Sequence, residues 1–386
     1  MRSSVDVRTA LLLGVEGVLY SIGVGCHLWR AQLARFRADS GQFSLRCRAA
    51  CRRNRERQFS EKDGTAQQPQ SRPADRYAPR AGRGDARRHV MEELEVSEGA
   101  QIRYCLIVNS AEIPAMQIRL GYELVYDCPQ PTPMLLMLSV HYTRVSDIVV
   151  PDHLVTSPSI PIRAYRDGFG NWCSRIVAPP GRTRLSANGI VNDTGAPDVV
   201  ALEAGQHAVQ DLPDEALPFL LGSRYCETDR LSEIAWSLFG KTPLGWGRVQ
   251  AICDYVHQHI AFGYEHARAS RTAWEAYCDR TGVCRDYAHL AVAFCRCMNI
   301  PARYCTGYLG DIGVPVSDAP MDFSAWFEAY VGGEWYTFDA RKNIPRSGRV
   351  LIARGRDAAD VAISTSFGTN TLSSFTVETE EVAPVE

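Results

Sequence analysis

Several features that commonly announce a function are missing from this chain. It has no C-x-x-C pair and no His-rich tract, and Cys295 and Cys297 stand too close together for zinc-knuckle spacing. It has no EF-hand loop and no internal repeat. No metal and no cofactor are therefore expected. A net charge of −2 over 386 residues argues against a dedicated nucleic-acid binder. The 13 Cys are odd in number and follow no disulfide-scaffold spacing, so most read as small core hydrophobes in a reducing, cytoplasmic setting. What is present is an ordinary globular composition, 45% hydrophobic and 22% charged, long enough for about two to three domains.

The near-zero charge hides an asymmetry. Residues 1–90 carry 17 Arg and 1 Lys against 8 Asp and Glu, which is +10; the remaining 24 basic and 36 acidic residues give −12. Within that basic head, Ala10 to Trp29 is mostly apolar and about the length that spans a bilayer. Glu16 and His27 lie inside it, and no clean small-x-small cleavage site follows, so a membrane anchor is the minority reading and a cleaved signal is not expected. Residues 30–90 are rich in Arg, Gln, Ser, Ala and Gly and cannot bury enough apolar area to offset ordering entropy. The expectation for 1–115 is a disordered basic head. A start of translation farther downstream is the alternative.

The pattern changes at Met116. "MQIRLGYELVYDC" alternates roughly apolar and polar, as a half-buried strand does, and "PMLLMLSVHY" is a short apolar run suited to a buried strand. "IPIRAYRDGFGNWCSRIVAP" holds a D-G-x-G turn between strand-like runs, and Asn188-Gly189 within "GRTRLSANGIVND" predicts a second hairpin. Residues 116–200 thus read as an all-β domain. After about residue 210 the period turns helical. "DEALPFLLGS" and "RLSEIAWSLFG" predict short helices, and Val249, Ile252, Val256 and Ile260 fall on one helical face. "SRTAWEAYCDRTGVCRDYAHLAVAFCRCMNIPARYCTGYLG" reads as helix, Gly turn, longer helix and strand, and "SAWFEAYVGGEWYTFDA" as two strands joined at Gly332-Gly333. The fold class is α+β: a core over 201–360 and a C-terminal strand or tail over 361–386.

Cys284 is the most informative residue. It falls where the Gly282 turn gives way to a helix whose apolar stripe is Tyr287, Ala291, Phe294 and Met298. A Cys there gains from the backbone N–H groups and the helix dipole, and Arg285 adds positive charge; both predict a lowered thiol pKa and a nucleophile at neutral pH.

The segments "GVCRDYAHL", "IPARYCTGYL" and "AWFEAYVGGEWYTFD" resemble the transglutaminase-like superfamily of papain-like cysteine enzymes. That resemblance implies a helix carrying the Cys packed on an antiparallel sheet. It implies a Cys–His–Asp triad acting on a protein or peptide through a thioester. Cys284 matches the family Cys and Asp339 the family Asp. The family His falls directly before Ala325-Trp326, where this chain has Ser324. Residues 116–200 more loosely resemble the β-rich N-terminal domain of bacterial transglutaminase-like proteins.

Ser324 cannot act as the base at neutral pH, so a substitute would have to come from elsewhere in the chain. His266, in a loop before the Trp274 helix, is the candidate His. His289 follows Cys284 by five positions, which turns it about 140° away on the same helix. His257 and His259, on the preceding helix, read as structural or solvent-facing. Asp322 and Glu328 lie near the missing His in sequence; Glu328 shares a strand face with Ser324 and Trp326, and would serve as a weak base or pair with an Arg. Trp274, Trp326 and Trp335 suit an acceptor groove or, more commonly, a core. Asp311 and Asp318 flank a Gly/Pro loop that reads as a solvated turn, with a lid or cation site as the sharper alternative. Two functions follow. One is a cysteine acyl-transferase or amide hydrolase; the other is a silenced relative that binds peptide.

Overall fold

A central strand needs apolar residues on both faces, and the segment from Met116 is such a strand. In the computed structural model, which describes residues 116–316 and 321–383, β1 (Met116–Cys128) is buried along nearly its whole length. The basic head, the apolar stretch Ala10 to Trp29 and Asp318 lie outside the described residues. Strands β2 (Thr132–Leu136), β3 (Ile148–Val150), β4 (Val155–Ser157), β5 (Arg163–Arg166), β6 (Trp172–Ala178) and β7 (Gly181–Asp193) follow. The helical portion comprises α1 (Thr228–Phe239), α2 (Trp246–His259), β8 (Ala261–Phe262), α3 (Ala273–Asp279), β9 (Thr281–Gly282) and α4 (Cys284–Cys297). Strands β10 (Ala302–Leu309), β11 (Ser324–Val331), β12 (Glu334–Phe338), β13 (Arg349–Gly355), β14 (Ser364–Ser366) and β15 (Thr371–Val382) complete the chain.

β1 pairs antiparallel with both β7 and β15, setting Leu124 between Leu185 and Phe375. The sheet order is β15-β1-β7-β3, with β4 also on β7. A second sheet runs β14-β2-β6-β5 and a third β12-β11-β10-β13. The C-terminal segment is therefore built into the β-rich region through β14 and β15. One apolar core joins Leu120 and Leu124 of β1, Met134 of β2 and Ile176 of β6 to Tyr308, Ile352 and Ala288 of the third sheet and α4.

α4 is the hub of the helical layer. Every residue from Arg285 to Cys297 is buried. Phe294 meets the rings of Phe239, Tyr255 and Tyr277 from α1, α2 and α3. Its polar residues survive burial because they are bonded. Arg296 donates to the carbonyls of Leu221, Ala302 and Arg356. His289 Nε2 accepts from the Ala358 backbone at 3.1 Å, and its ring stacks on Tyr225. Burial there holds its pKa well below the usual histidine range.

Three local expectations change. Asn188-Gly189 is not a turn but the middle of β7: a Cβ on Gly189 would lie 3.0 Å from Val150 O and from Asp152 Cβ, so the glycine admits a crossing backbone. "DEALPFLLGS" forms only a 3-10 turn over Leu217–Leu220, where Pro218 removes a donor and Phe219 alone is buried. The apolar run after Pro133 stays extended in β2 only to Leu136; beyond it Met137 and His141 bond singly to Ile363 O and Leu351 O. The D-G-x-G turn does join β5 to β6, with Asp167 Oδ1 accepting from Phe169 and Asn171. β11 and β12 meet at Gly332 and Gly333, with φ of 62° and 89°.

Candidate active site

Cys284 is placed by a rigid helix start. Asp286 Oδ2 accepts the Val283 N–H at 2.9 Å and the Arg271 Nη1 at 3.3 Å. Gly282 lies so close that a Cβ on it would stand 2.7 Å from the Asp286 side chain. Cys284, the first residue of α4, is half-buried and opens onto a cleft of about 450 Å³. Tyr264, Asp311, Asp322, Ser324 and Arg341 line that cleft with it, and Thr379 to Glu381 of β15 form a further wall.

The expected lowering of the thiol pKa is not found. Burial pushes it up to about 11, and the Asp322 carboxylate adds to the rise; Arg341 and a hydrogen bond with the Ala325 backbone work the other way. Arg285 does not serve the sulfur. Its guanidinium turns back onto the carbonyls of Arg268 and Ala269, and it also sits over the Tyr225 ring. The cation beside the thiol is Arg341, whose guanidinium lies 3.7 Å over Phe262. His257 holds the Arg341 segment by donating from Nδ1 to the Arg341 carbonyl at 2.9 Å.

Ser324 opens β11 opposite Gly307 of β10 and lines the same cleft as Cys284. Asp339 follows β12 and is buried, but it does not line that cleft. Its Oδ1 accepts the N–H groups of Arg341 and Lys342, both at 3.0 Å, and its Oδ2 accepts Arg349 Nη2 at 3.0 Å. Arg349 Nε is shared with both carboxylate oxygens of Asp198. Asp339 borders a second cavity of about 470 Å³ with Asp198, Trp246 and Cys253.

His266 ends a 3-10 turn, Tyr264–His266, that brings Tyr264 to the cleft and leaves His266 3.5 Å from Glu265 Oε1. Glu328 pairs with Arg303 and, at 4.0 Å, with Arg354. Trp326 is buried against Gly307; Trp274 lies under Arg230 and Trp335 under Arg303. None of the three lines the cleft. Asp322, Arg341 and Tyr264 are the cleft groups that sequence reasoning passed over or left unassigned. Only Asp322 carried a signal, its place two residues before Ser324. Its carboxyl is held up to about 7 by burial, with the Phe323 backbone and Arg341 opposing.

Among the described residues, no group of three or more His, Cys, Asp or Glu is arranged to hold a metal ion. None of the described helices is long and apolar enough to cross a membrane.

The model of the transglutaminase-like superfamily matches residues 237–340, the stretch from the end of α1 through Asp339. A solved structure from Cytophaga hutchinsonii, described as a "putative cysteine protease", superposes with a TM-score of 0.63 at 31% identity, over 70% of this chain and 92% of that one. An uncharacterized protein of Mycobacterium tuberculosis is 30% identical over 221 residues, 51% of this chain and 68% of its own length. An uncharacterized protein of Mycobacterium leprae is 36% identical over 88 residues, a match spanning 30% of that relative. The helix-borne Cys284, the antiparallel sheet that carries Ser324 and these likenesses agree: the chain belongs to the transglutaminase-like superfamily.

Proposed function

We propose that this protein is a cysteine acyl-transferase or amide hydrolase that acts on a peptide or protein carboxamide through a thioester on Cys284. The observation that carries this reading is the position of Cys284: half-buried, the first residue of a helix whose other residues are all buried, and lining a cleft of about 450 Å³. In the reaction the sulfur attacks the carbonyl carbon, the amine leaves, and water or a second amine takes the acyl group. Ser324 occupies the family His position, and Asp339 supports the segment that carries Arg341 rather than an imidazole.

The test is hydrolysis and aminolysis of a glutamine-containing peptide by the native chain and by Cys284→Ala, with the acyl-enzyme sought by mass spectrometry. Turnover that disappears with Cys284 supports the reading. Turnover that survives Cys284→Ala sinks it. A second reading has its own support, namely a thiol pushed up to about 11 and an Asp339 already bound by Arg349. This is a silenced member whose cleft binds peptide. It predicts peptide binding with no acyl-enzyme in either protein.

A further inference from the structure

A family site without its His needs another place for the thiol proton, and the cleft wall narrows the choice. Asp286 is engaged by Val283 N–H and Arg271, Asp339 by Arg349 and two backbone N–H groups, and Glu328 by Arg303. His266 stays outside the cleft lining. Asp322 lines the cleft with Cys284, and the two are near enough that its charge acts on the sulfur. The charged and titratable groups that line the cleft around it come from every side. They are Cys284 on α4, Tyr264 from the turn after β8, Asp311 after β10, Arg341 and Lys342 after β12, and Glu380 and Glu381 on β15. Of these, Arg341 acts on both the Cys284 thiol and the Asp322 carboxyl.

We propose that Asp322 is the catalytic base of this cleft, taking the Cys284 proton in the role that the family assigns to a His. The proposal rests on the acyl-transfer reading above and adds to it the residue that moves the proton. As the carbon–sulfur bond forms, the S–H proton passes to the Asp322 carboxylate. As the carbon–nitrogen bond breaks, the same proton passes to the leaving amine. In the second half Asp322 takes a proton from water, the resulting hydroxide adds to the thioester carbonyl, and the carbon–sulfur bond breaks. The proton then returns to the Cys284 sulfur. Arg341, whose charge acts on both groups, steadies the thiolate while Asp322 is neutral. A carboxyl held up to about 7 by burial has a basicity close to that of an imidazole, which suits this work near neutral pH.

The experiment separates proton transfer from plain electrostatics because the two predict opposite signs. The full chain, Asp322→Asn, Asp322→Glu and Cys284→Ala are each treated with p-nitrophenyl acetate, and acylation of Cys284 is followed by mass spectrometry from pH 5 to 10. Iodoacetamide labelling of Cys284 is measured in parallel. Removing the Asp322 charge favours the thiolate, so Asp322→Asn should label faster with iodoacetamide. It should nevertheless acylate about 10²-fold more slowly at pH 8, since a positioned base contributes at least that much. Native acylation should rise with a group titrating near pH 7, and Asp322→Glu should recover part of the rate. Asp322→Asn acylating as fast as the native chain, in step with its faster labelling, would overturn the proposal and leave the Cys284 reading standing. A native chain whose Cys284 labels but never acylates would overturn both. A thermal melt shows that each variant is folded.

Discussion

The family resemblance would make Asp339 a catalytic residue, yet its bonds are those of a structural one, and its removal distinguishes the two roles. The side chain accepts three hydrogen bonds of 3.0 Å, one of them from a guanidinium whose side chain is only 8% exposed. Breaking a buried ion pair by deleting one partner costs roughly 3–5 kcal/mol. Asp198 stays behind to neutralise Arg349, so Asp339→Ala should fall at the lower end, about 3 kcal/mol. Asp339→Asn keeps an acceptor for the Arg341 and Lys342 N–H groups and should cost about 1–2 kcal/mol. For a domain of this size those losses lower the melting temperature by roughly 2–4 °C per kcal/mol. Thermal and urea unfolding measure the loss, and iodoacetamide labelling of Cys284 at 25 °C measures the site in molecules that remain folded. Labelling should change less than about threefold, the equivalent of well under 1 kcal/mol. If Asp339→Asn melts like the native chain yet slows Cys284 acylation a hundredfold, Asp339 acts on the chemistry and the structural assignment is wrong.

The cleft yields further expectations. Iodoacetamide labelling of Cys284 should still be climbing above pH 9, since the thiol is held up to about 11; Arg341→Ala should shift the profile higher and Arg285→Ala should leave it in place, as peptide mapping will show. Asp322 is held above its unfolded value of about 4, so the native state gains stability below that pH and loses it as pH rises through about 7. Asp322→Asn should therefore be the more stable protein by urea unfolding at pH 8, and its advantage should vanish at pH 4. Ser324→His should raise Cys284 acylation less than tenfold, because Arg349 already holds the carboxylate that would orient a new imidazole; adding Arg349→Gln should raise it further, and a large gain from the single change would refute that account. Gly282→Ala should slow both acylation and labelling, because the new Cβ meets the Asp286 side chain that caps α4.

The fold was legible where local pattern and burial agree. The apolar stripe of Tyr287, Ala291, Phe294 and Met298 faces the core, and the Gly332-Gly333 turn joins the strands it separates. It was illegible where a residue type serves two geometries. Asn-Gly is the strongest short hairpin signal, yet glycine is also what lets one backbone cross close over another, and only the long-range pairing of β7 with β1 decides between them. The tail after residue 360 showed strand propensity. Its partners, β1 and β2, lie more than 200 residues earlier, beyond any local signal.

The site follows the same division. Cys284 and Ser324 could be expected near one another because they stand at the starts of a helix and a strand, and the fold brings both to one cleft. The electrostatics were not, because sequence adjacency is a poor guide to which charge faces a side chain. Arg285 directly follows Cys284 in sequence, but a helix turns each successive side chain by about 100°, and its guanidinium ends on the Arg268 and Ala269 carbonyls. Arg341 lies 57 positions from Cys284 and reaches it because Asp339 and His257 hold its segment against the cleft. That support gives Asp339 a use that requires no imidazole beside it. Asp339 accepts the backbone of the very residue whose charge opposes the rise of the Cys284 pKa, so it shapes the cleft through Arg341 without touching the sulfur.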